Sequence, residues 1–417
     1  MIKKASLKIG FLLGRRHIQR ANIWTSVLVI FIMTITFLNL VVISGILVGL
    51  IEGSIKANRE QYTGNIFIST LPGEEYIEKS GDVISRIQNI SSIEEYSPRI
   101  IENGSIEANY RTRRDPDVLP DTAGGQFTGI DITKEEKVTS LSRYVVEGEY
   151  LKEGEFGYIL IGANLLERYS AGFGDGFSSL ENVYPGSRLM VTIGGAKKEM
   201  IVKGIIKSKV GETSLRVFMN QNELRTFAGR TNANMNEIAI KTKEGVSEEF
   251  VKSQFIKLGI EKYAKVRTSR EAVGSFLEDI AKTFGILGNI IGLIALLVSS
   301  ITIFIIIFIN AVTKRRFIGI MKAMGISPFA IEFSYILQAL FYGVCGTLIG
   351  LVLIYFVIEP IIAKNPIDFP FSDGILSVPL PSVLFKMGLL YVATLLAGFI
   401  PARMIIKKNT LSAILGR

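Results

Sequence analysis

Three long stretches of this chain carry no charged residue, and they limit what it can fold into more than any other feature. The first is Ala21 to Ile51, 31 residues between Arg20 and Glu52. The second is Thr283 to Thr313, again 31 residues, and the third is Phe333 to Ile358, 26 residues. A helix needs about 20 apolar residues to cross the hydrocarbon core of a bilayer. Each stretch is long enough. A fourth, Met387 to Ala402, has only 16 residues, or 20 with Val383–Lys386 added. There the Lys386 stem can lie along apolar surface while its ammonium reaches a headgroup region. A buried core helix would suit the fourth stretch but not the other three, so all four are read as transmembrane. A cleaved signal peptide is a poorer account of the first. Its apolar run exceeds the roughly 7–15 residues of such a segment, and no clear A-x-A site follows.

Charge sorting then predicts orientation, because basic residues accumulate on the cytoplasmic side. Residues 1–20 hold Lys3, Lys4, Lys8, Arg15, Arg16 and Arg20 and no acid. The 314–332 loop holds Lys314, Arg315, Arg316 and Lys322 with one acid, Glu332. The 403–417 tail holds Arg403, Lys407, Lys408 and Arg417 and no acid. The 52–282 insert carries 31 basic and 34 acidic residues. The net charge of +9 is therefore an orientation signal, and no basic face suggests nucleic acid as a partner. The expected fold is an α-helical membrane protein with four transmembrane helices and a large extracytoplasmic α+β domain inserted between helices 1 and 2. The expected layout is a cytoplasmic amphipathic helix at 1–20, spans at 21–51, 283–313, 333–358 and 383–402, an outer loop at 359–382, and both termini in the cytoplasm.

Within the insert, Asn65–Ser69, Asn236–Lys241 and Ala264–Val266 read as strands. Arg188–Ile193 and Lys198–Lys207 read as a hairpin joined across Gly194-Gly195. Ser247-Glu-Glu is a helix start, followed by Val251, Phe255 and Leu258 on one face. The pattern predicts small α/β subdomains, with Tyr158–Phe227 a β-rich module. At the exit, Thr268-Ser-Arg-Glu271 fits a capping box. Val273, Phe276, Leu277, Ile280 and Phe284 then keep one apolar face, and no Pro intervenes before Thr313. This predicts one helix that begins as a stalk at 268–282 and continues into the membrane, with Leu50–Arg59 extending the first helix similarly. A plain helix–loop–helix join is the alternative.

Catalytic chemistry finds little footing. One histidine, His17, and one cysteine, Cys345, cannot build a zinc site, an iron–sulfur cluster, a disulfide or a Cys–His pair. His17 is expected to be solvated or interfacial. No G-x-x-x-x-G-K-[ST] phosphate loop is present, so no ATP hydrolysis is expected from this chain. Asp115, Asp117 and Asp121 surround two prolines and could offer calcium ligands, but a plain loop is the better account of them. Glu74-Glu75 and Glu248-Glu249 read as solvated faces. No charge lies deep in the first three apolar stretches; Asn39 and Asn310 are polar but neutral, which argues against an ion path. The expectation is a non-enzyme with no bound cofactor or metal.

The most specific local signal is Lys314-Arg-Arg-Phe-Ile-Gly-Ile-Met-Lys-Ala-Met-Gly-Ile-Ser-Pro328. The basic triplet suits a helix C-terminus near lipid headgroups. Phe317, Ile320, Met321 and Met324 give a short helix an apolar face; Gly325 ends it; Ser327-Pro328 can start the next helix as N-cap and first residue. Such a helix suits docking of a cytoplasmic partner, with Arg315, Arg316 and Lys322 around it, or it lies flat on the membrane. In residues 3–20, Leu7, Phe11 and Ile18 share a face with Gly14, which suits a helix in the membrane interface, in contact with lipid. Gly45-x-x-x-Gly49, Gly288-x-x-x-Gly292 and Gly346-x-x-x-Gly350 permit close helix packing, within one chain or between two.

The order of one helix, a large insert and three helices, together with Arg316-Phe-Ile-Gly-Ile-Met-Lys-Ala-Met-Gly-Ile-Ser327, resembles the FtsX/MacB-type permease family of ABC transporters. The family motif reads roughly R-E-I-G-I-L-R-A-L-G-A-S, with Phe317 here in place of the acid. Pro401-Ala-Arg403 and Leu411-Ser-Ala-Ile-Leu415 resemble its P-A-R…P-x-x-A-L ending, with Asn409-Thr410 where a D-P pair is common. Gly129–Ile132, Glu147–Leu151 and Ile159–Ala163 resemble the MacB-type periplasmic core, with Asp131-Ile132 departing from D-P. The resemblance implies an inner-membrane subunit paired with a second copy or a related permease. It also implies separate ATP-binding subunits carrying ATP and Mg, seated on a coupling helix at Phe317–Gly325, and force transmitted to the outer domain. The substrate would be a lipoprotein, peptide, lipid or drug. Two rivals are a signalling subunit that activates an extracytoplasmic partner such as a cell-wall hydrolase, and an ATPase-independent scaffold or receptor.

Overall fold

Sequence order sorts the elements into apolar helices at both ends and strands between them. The computed structural model describes residues 2–113, 119–170, 178–364, 369, 372 and 376–407; for 2–5, 275–278 and 281 only the backbone is described. Helices α1 (Ile2–Gln19) and α2 (Ile23–Asn58) come first. Ten strands follow: β1 (Ile66–Ser69), β2 (Ile93–Glu107), β3 (Thr122–Ile130), β4 (Val145–Gly148), β5 (Tyr158–Gly162), β6 (Arg188–Ile193), β7 (Ala196–Ile206), β8 (Arg216–Asn220), β9 (Glu237–Thr242) and β10 (Lys265–Thr268). Between them lie helices α3 (Ser80–Gln88), α4 (Ile132–Thr139) and α5 (Glu248–Lys257), besides shorter turns. Last come α6 (Ser275–Thr313), α7 (Arg315–Ala323), α8 (Pro328–Leu353) and α9 (Leu380–Ile406). Contacts divide the chain into a helical unit (Met1–Ile51, Glu278–Asp368, Asp373–Arg417) and a sheet unit (Glu52–Leu277, Phe369–Ser372).

Among the described residues four helical stretches are long and apolar enough to cross a membrane: Ile23–Thr63, whose end from Glu52 belongs to the sheet unit, Lys282–Thr313, Pro328–Lys364 and Leu380–Ile406. They outrun the expected limits. The third continues through a π turn at Ile354–Ile358 and a helix at Glu359–Lys364, where an outer loop is expected from 359. At about 1.5 Å per residue the 36 residues of α2 reach roughly 54 Å, well beyond a hydrocarbon core of about 30 Å. One face of α2 repeats every fourth residue, Val29, Met33, Phe37 and Val41, and is fully buried. It meets Ile303 and Ile307 of α6, Tyr335 and Tyr342 of α8, and Leu390 of α9 in one cluster. Glycine sets the closest approaches. A Cβ on Gly346 would come within 2.5 Å of the Met33 Cβ, and one on Gly350 within 2.5 Å of the Phe37 ring. Gly288 and Gly292 face Ile43 and Leu40, Gly45 faces Leu376 and Val378, and Gly49 is buried. The glycine pairs thus meet helices and loops of the same chain.

Helix α1 packs on α8 beside its apolar face rather than through it. Its seat on α8 is the small stripe Ser6, Gly10 and Gly14, whereas Leu7 and Phe11 are exposed. His17 is half-buried rather than solvated, its ring 5.1 Å from that of Tyr335.

The sheet unit is one ten-stranded sheet rather than separate subdomains. Strands β2, β3, β8, β5, β7 and β6 pair in sequence, and β6 returns to β2, closing a six-stranded ring. Ile106, Phe127, Ile161, Val191, Val202 and Val217, one from each of the six strands, belong to one buried cluster. A second cluster joins β1, β9 and β10 to α3 and α5 through Ile66, Ile240, Val266, Val83 and Phe255. Strand β2 serves both: Ile93–Arg99 pairs with β9 and Arg99–Glu107 with β3. The expected hairpin is present as β6–β7.

The stalk differs from expectation. The capping box forms, with the Thr268 side chain accepting from Glu271 N and Glu271 accepting from Thr268 N. The helix it starts lasts only Ser269–Ala272. Gly274 then takes φ +84°, a left-handed conformation that an uninterrupted helix cannot contain, and α6 begins at Ser275. Val273 thus caps the short helix, and Ile280 lies in the new one. The side chains of Phe276 and Leu277, together with Asp115, Asp117 and residues 409–415, lie outside the described residues.

Candidate functional site

In the helical unit, α7 sits in the loop after α6. The Met321 carbonyl accepts from Ile326 N at 3.0 Å, and the Lys322 carbonyl from Gly325 N at 3.0 Å, with Gly325 at φ +86°. This left-handed stop satisfies the carbonyls that a helix end leaves open. The Ser327 side chain accepts from Ala330 N at 3.3 Å, with Pro328 starting α8. The short helix is therefore held at both ends. Ile318 and Gly319 are buried against the bundle. Phe317 is 67% exposed, Ile320 40% and Met324 67%, and Arg316 is also exposed. Those three apolar residues recur at i, i+3 and i+7, one face of a helix.

Two expected docking residues turn inward. Met321 is half-buried and joins the bundle cluster beside Ile326. The Lys322 ammonium donates to the Ile406 carbonyl near the end of α9 at 3.0 Å. The exposed face thus has Phe317, Ile320 and Met324 at its centre.

In the sheet unit a second constellation forms where no sequence motif pointed. A π turn, Arg59–Thr63, follows α2. The Tyr62 hydroxyl donates to Glu237 Oε1 at 2.9 Å. Arg216 donates from both terminal nitrogens to the two Glu237 oxygens, each at 2.8 Å. Arg99 donates to both Glu135 oxygens at 2.7 and 2.9 Å and to the Tyr62 carbonyl at 2.6 Å. Ser97 and Thr139 each complete Glu135 at 2.7 Å. Burial alone would raise the Glu237 carboxyl, but Arg216 and Arg99 outweigh it and hold the group at about 2. Tyr62 is pushed up, chiefly by burial. Gln61 is also fixed, its side-chain oxygen accepting from Ser208 Oγ at 2.7 Å and Lys209 N at 2.9 Å.

The same turn reaches the exit of the sheet unit. Arg59 pairs with Glu248 at 2.9 Å, and Ser269, just after β10, donates to Glu248 from its Oγ at 2.8 Å. Glu248 is therefore a clasp between the chain's entry and its exit, not the solvated residue expected of Glu248-Glu249. In the sequence, Glu237 falls in the expected strand Asn236–Lys241, and no other residue of this group stands out. The β2–β9 register sets Arg99 opposite Glu237, and the packing of α4 and β8 brings in Glu135 and Arg216.

Comparison with known proteins bears on the helical unit. Residues 289–410, which include α7, match the model of the FtsX-like permease C-terminal family. The match begins within α6 and takes in α7, α8 and α9. The chain is 26% identical over 133 residues to the ABC transporter permease YtrF of Bacillus subtilis, covering 30% of each chain. It is 26% identical over 191 residues to the macrolide export ATP-binding/permease protein MacB of Campylobacter jejuni, covering 43% of this chain and 28% of that protein. The chain thus spans about 30% of the length of these curated relatives. Among solved structures, the periplasmic region of MacB from Actinobacillus actinomycetemcomitans aligns over 51% of this chain and 92% of its own, at 14% identity and a TM-score of 0.36. The resemblance to FtsX/MacB-type permeases stands, with the FtsX-like domain its firmest part.

Proposed function

We propose that this chain is a non-catalytic permease subunit of an ABC transporter. It would couple ATP hydrolysis on a separate chain to movement of its sheet unit. The observation that carries this reading is the face Phe317, Ile320 and Met324, exposed on a helix stopped at both ends inside the FtsX-like domain. On this reading α7 is the coupling helix that seats on an ATP-binding subunit, and ATP and Mg belong to that partner. A second copy or a related permease completes the assembly. The sheet unit lies outside the cell membrane with both termini in the cytoplasm. Movement reaches it along α2, whose end continues into the fastened π turn at Gln61 and Tyr62. The cargo would be a lipoprotein, peptide, lipid or drug, a class that includes the macrolides in the relative's name.

The test is purification of the full chain in mild detergent with a candidate ATP-binding subunit. Phe317→Asp places a carboxylate where an apolar anchor would be desolvated, and truncation of such anchors typically costs about 2 kcal/mol or more, roughly 30-fold in affinity. Loss of ATPase recovery with unchanged thermal unfolding is the expected result. Retention of full binding and stimulated ATP hydrolysis by the variant would remove α7 from the docking role.

A further inference from the structure

The seat of α1 on α8 is so close that it leaves a furrow beside it. A Cβ on Gly10 would meet the Ala330 carbonyl at 2.8 Å, and one on Gly14 the Leu337 Cδ2 at 2.7 Å. Alongside that contact lies a groove of about 410 Å³, within the roughly 300–1,000 Å³ of small-molecule sites. One wall is Phe11, Arg15 and Ile18 of α1; the other is Leu337, Phe341 and Val344 of α8. Hydrocarbon lines nearly all of it. Arg15 is the one charged side chain in the lining, and it makes no ion pair among the described residues. The surrounding segment is uniformly cationic, with six Lys and Arg and no acid in residues 1–20.

An apolar slot with a cation at its edge, next to the first helix able to span a membrane, selects a ligand with a hydrocarbon tail and a negative head. We propose that this groove is a binding site for an anionic phospholipid, its acyl chain between Phe11 and Phe341 and its phosphate against Arg15. A zwitterionic lipid fills the slot equally well but gains less from the cationic rim. A helix from a second copy would meet the same apolar walls but would leave the Arg15 charge uncompensated. The inference rests on the membrane reading and is independent of ATPase docking.

The chain's single tryptophan, Trp24, makes a clean optical test possible. In the full-length Trp24→Phe protein, Phe341→Trp reports on the groove, and Phe385→Trp, exposed on α9, reports on ordinary lipid contact. Each is placed in nanodiscs containing phosphatidylglycerol or phosphatidylcholine with brominated acyl chains, which quench a touching indole. One basic residue near a lipid surface contributes about 1 kcal/mol, so brominated phosphatidylglycerol should half-quench the groove reporter at about fivefold lower mole fraction. The Phe385 position should show no preference. Arg15→Gln should abolish the preference and Arg15→Lys should keep it. Equal quenching by both lipids, or a preference that survives Arg15→Gln, would reduce the groove to ordinary lipid contact and overturn the proposal. Absence of quenching by either lipid would mean that protein covers the groove and would equally overturn it. The head-group comparison with Arg15 intact holds whether or not Arg15→Gln folds.

Discussion

In the sheet unit the buried polar groups include ions: Arg99, Glu135, Arg216 and Glu237 are each at most 7% exposed and are paired with one another. In the helical unit the buried polar groups on the described helices are neutral: Ser6, Thr34, Thr36, Ser299, Ser334, Gln338, Thr347 and Thr394. The difference follows from the solvent each unit can use. Burying an ion costs several kcal/mol, and only good geometry with every hydrogen bond filled offsets it. The sheet unit comes close to that geometry: an arginine grips both oxygens of Glu135 and of Glu237, although the Arg216 Nε is buried without a partner among the described residues. In a bilayer a charge has no such inexpensive arrangement, and helices gain nothing hydrophobic by leaving lipid for one another. Close contact at glycine does that work instead, as at Gly346 and Gly350.

The largest effect should come from breaking the ionic group. Glu237→Ala would leave Arg216 buried without its carboxylate, and removing one partner of such a pair costs about 3–5 kcal/mol. Thermal unfolding and proteolysis of the full-length protein should show the sheet unit failing first. An unchanged transition would mean that the ions contribute no net stability. The pH dependence has a definite sign. Glu237 is depressed from an ordinary 4.5 to about 2, so its contribution is whole above pH 4.5 and fades as pH falls toward 2. Glu237→Gln should flatten that acid limb.

Next in size is overpacking of the glycine contacts. Gly346→Leu drives a side chain into Met33, at a cost of about 1–3 kcal/mol. Gly288→Ala should cost far less, because a Cβ there meets only side-chain methyls, Ile43 Cγ2 at 3.1 Å and Leu47 Cδ1 at 3.3 Å. Unfolding in mixed detergent micelles would rank the two. Equal losses would show that distance to backbone and Cβ is not what matters. The smaller hydroxyl contacts come next. Thr347 Oγ1 and Tyr391 Oη lie 2.7 Å apart, and Tyr391→Phe should cost about 0.6 kcal/mol, the average for such bonds between membrane helices.

What the sequence revealed follows the same division. Apolar helices declare themselves by length and absence of charge, so four spans, the basic triplet, the Gly325 stop and the Ser327 cap were legible. The capping box at Thr268 was legible too, but what followed it was not. A glycine in an apolar periodic run reads as helix interior, and only its left-handed φ at Gly274 shows the break. The ionic group was invisible for a different reason. Tyr62, Arg99, Glu135, Arg216 and Glu237 are scattered over more than 170 positions, on a π turn, a helix and three strands, and only the tertiary fold assembles them. That Met321 and Lys322 turn partly inward was not legible, because helical periodicity identifies a face but not which edge of it the bundle covers.

The smallest effect concerns His17, and it tests the comparison most directly. Burial, helped by the nearby Lys314, lowers its imidazole from an ordinary 6.5 to about 4. Lowering keeps a histidine neutral, whereas the same direction of shift keeps Glu237 charged. Each unit therefore favours the form its surroundings tolerate: ions where partners fill every lone pair, neutral rings where arginines and lysines crowd an apolar seat. A folded pKa below the unfolded one means that His17 supports the seat of α1 fully above pH 6.5 and less as pH falls through 4. Because the chain has one histidine, its imidazole NMR signal needs no assignment. A midpoint near 4 in the folded protein, returning toward 6.5 when Gly14→Leu forces α1 off α8, would tie the shift to that contact. A midpoint near 6.5 in the unmodified protein would mean that water reaches the ring and that α1 is not held against Tyr335.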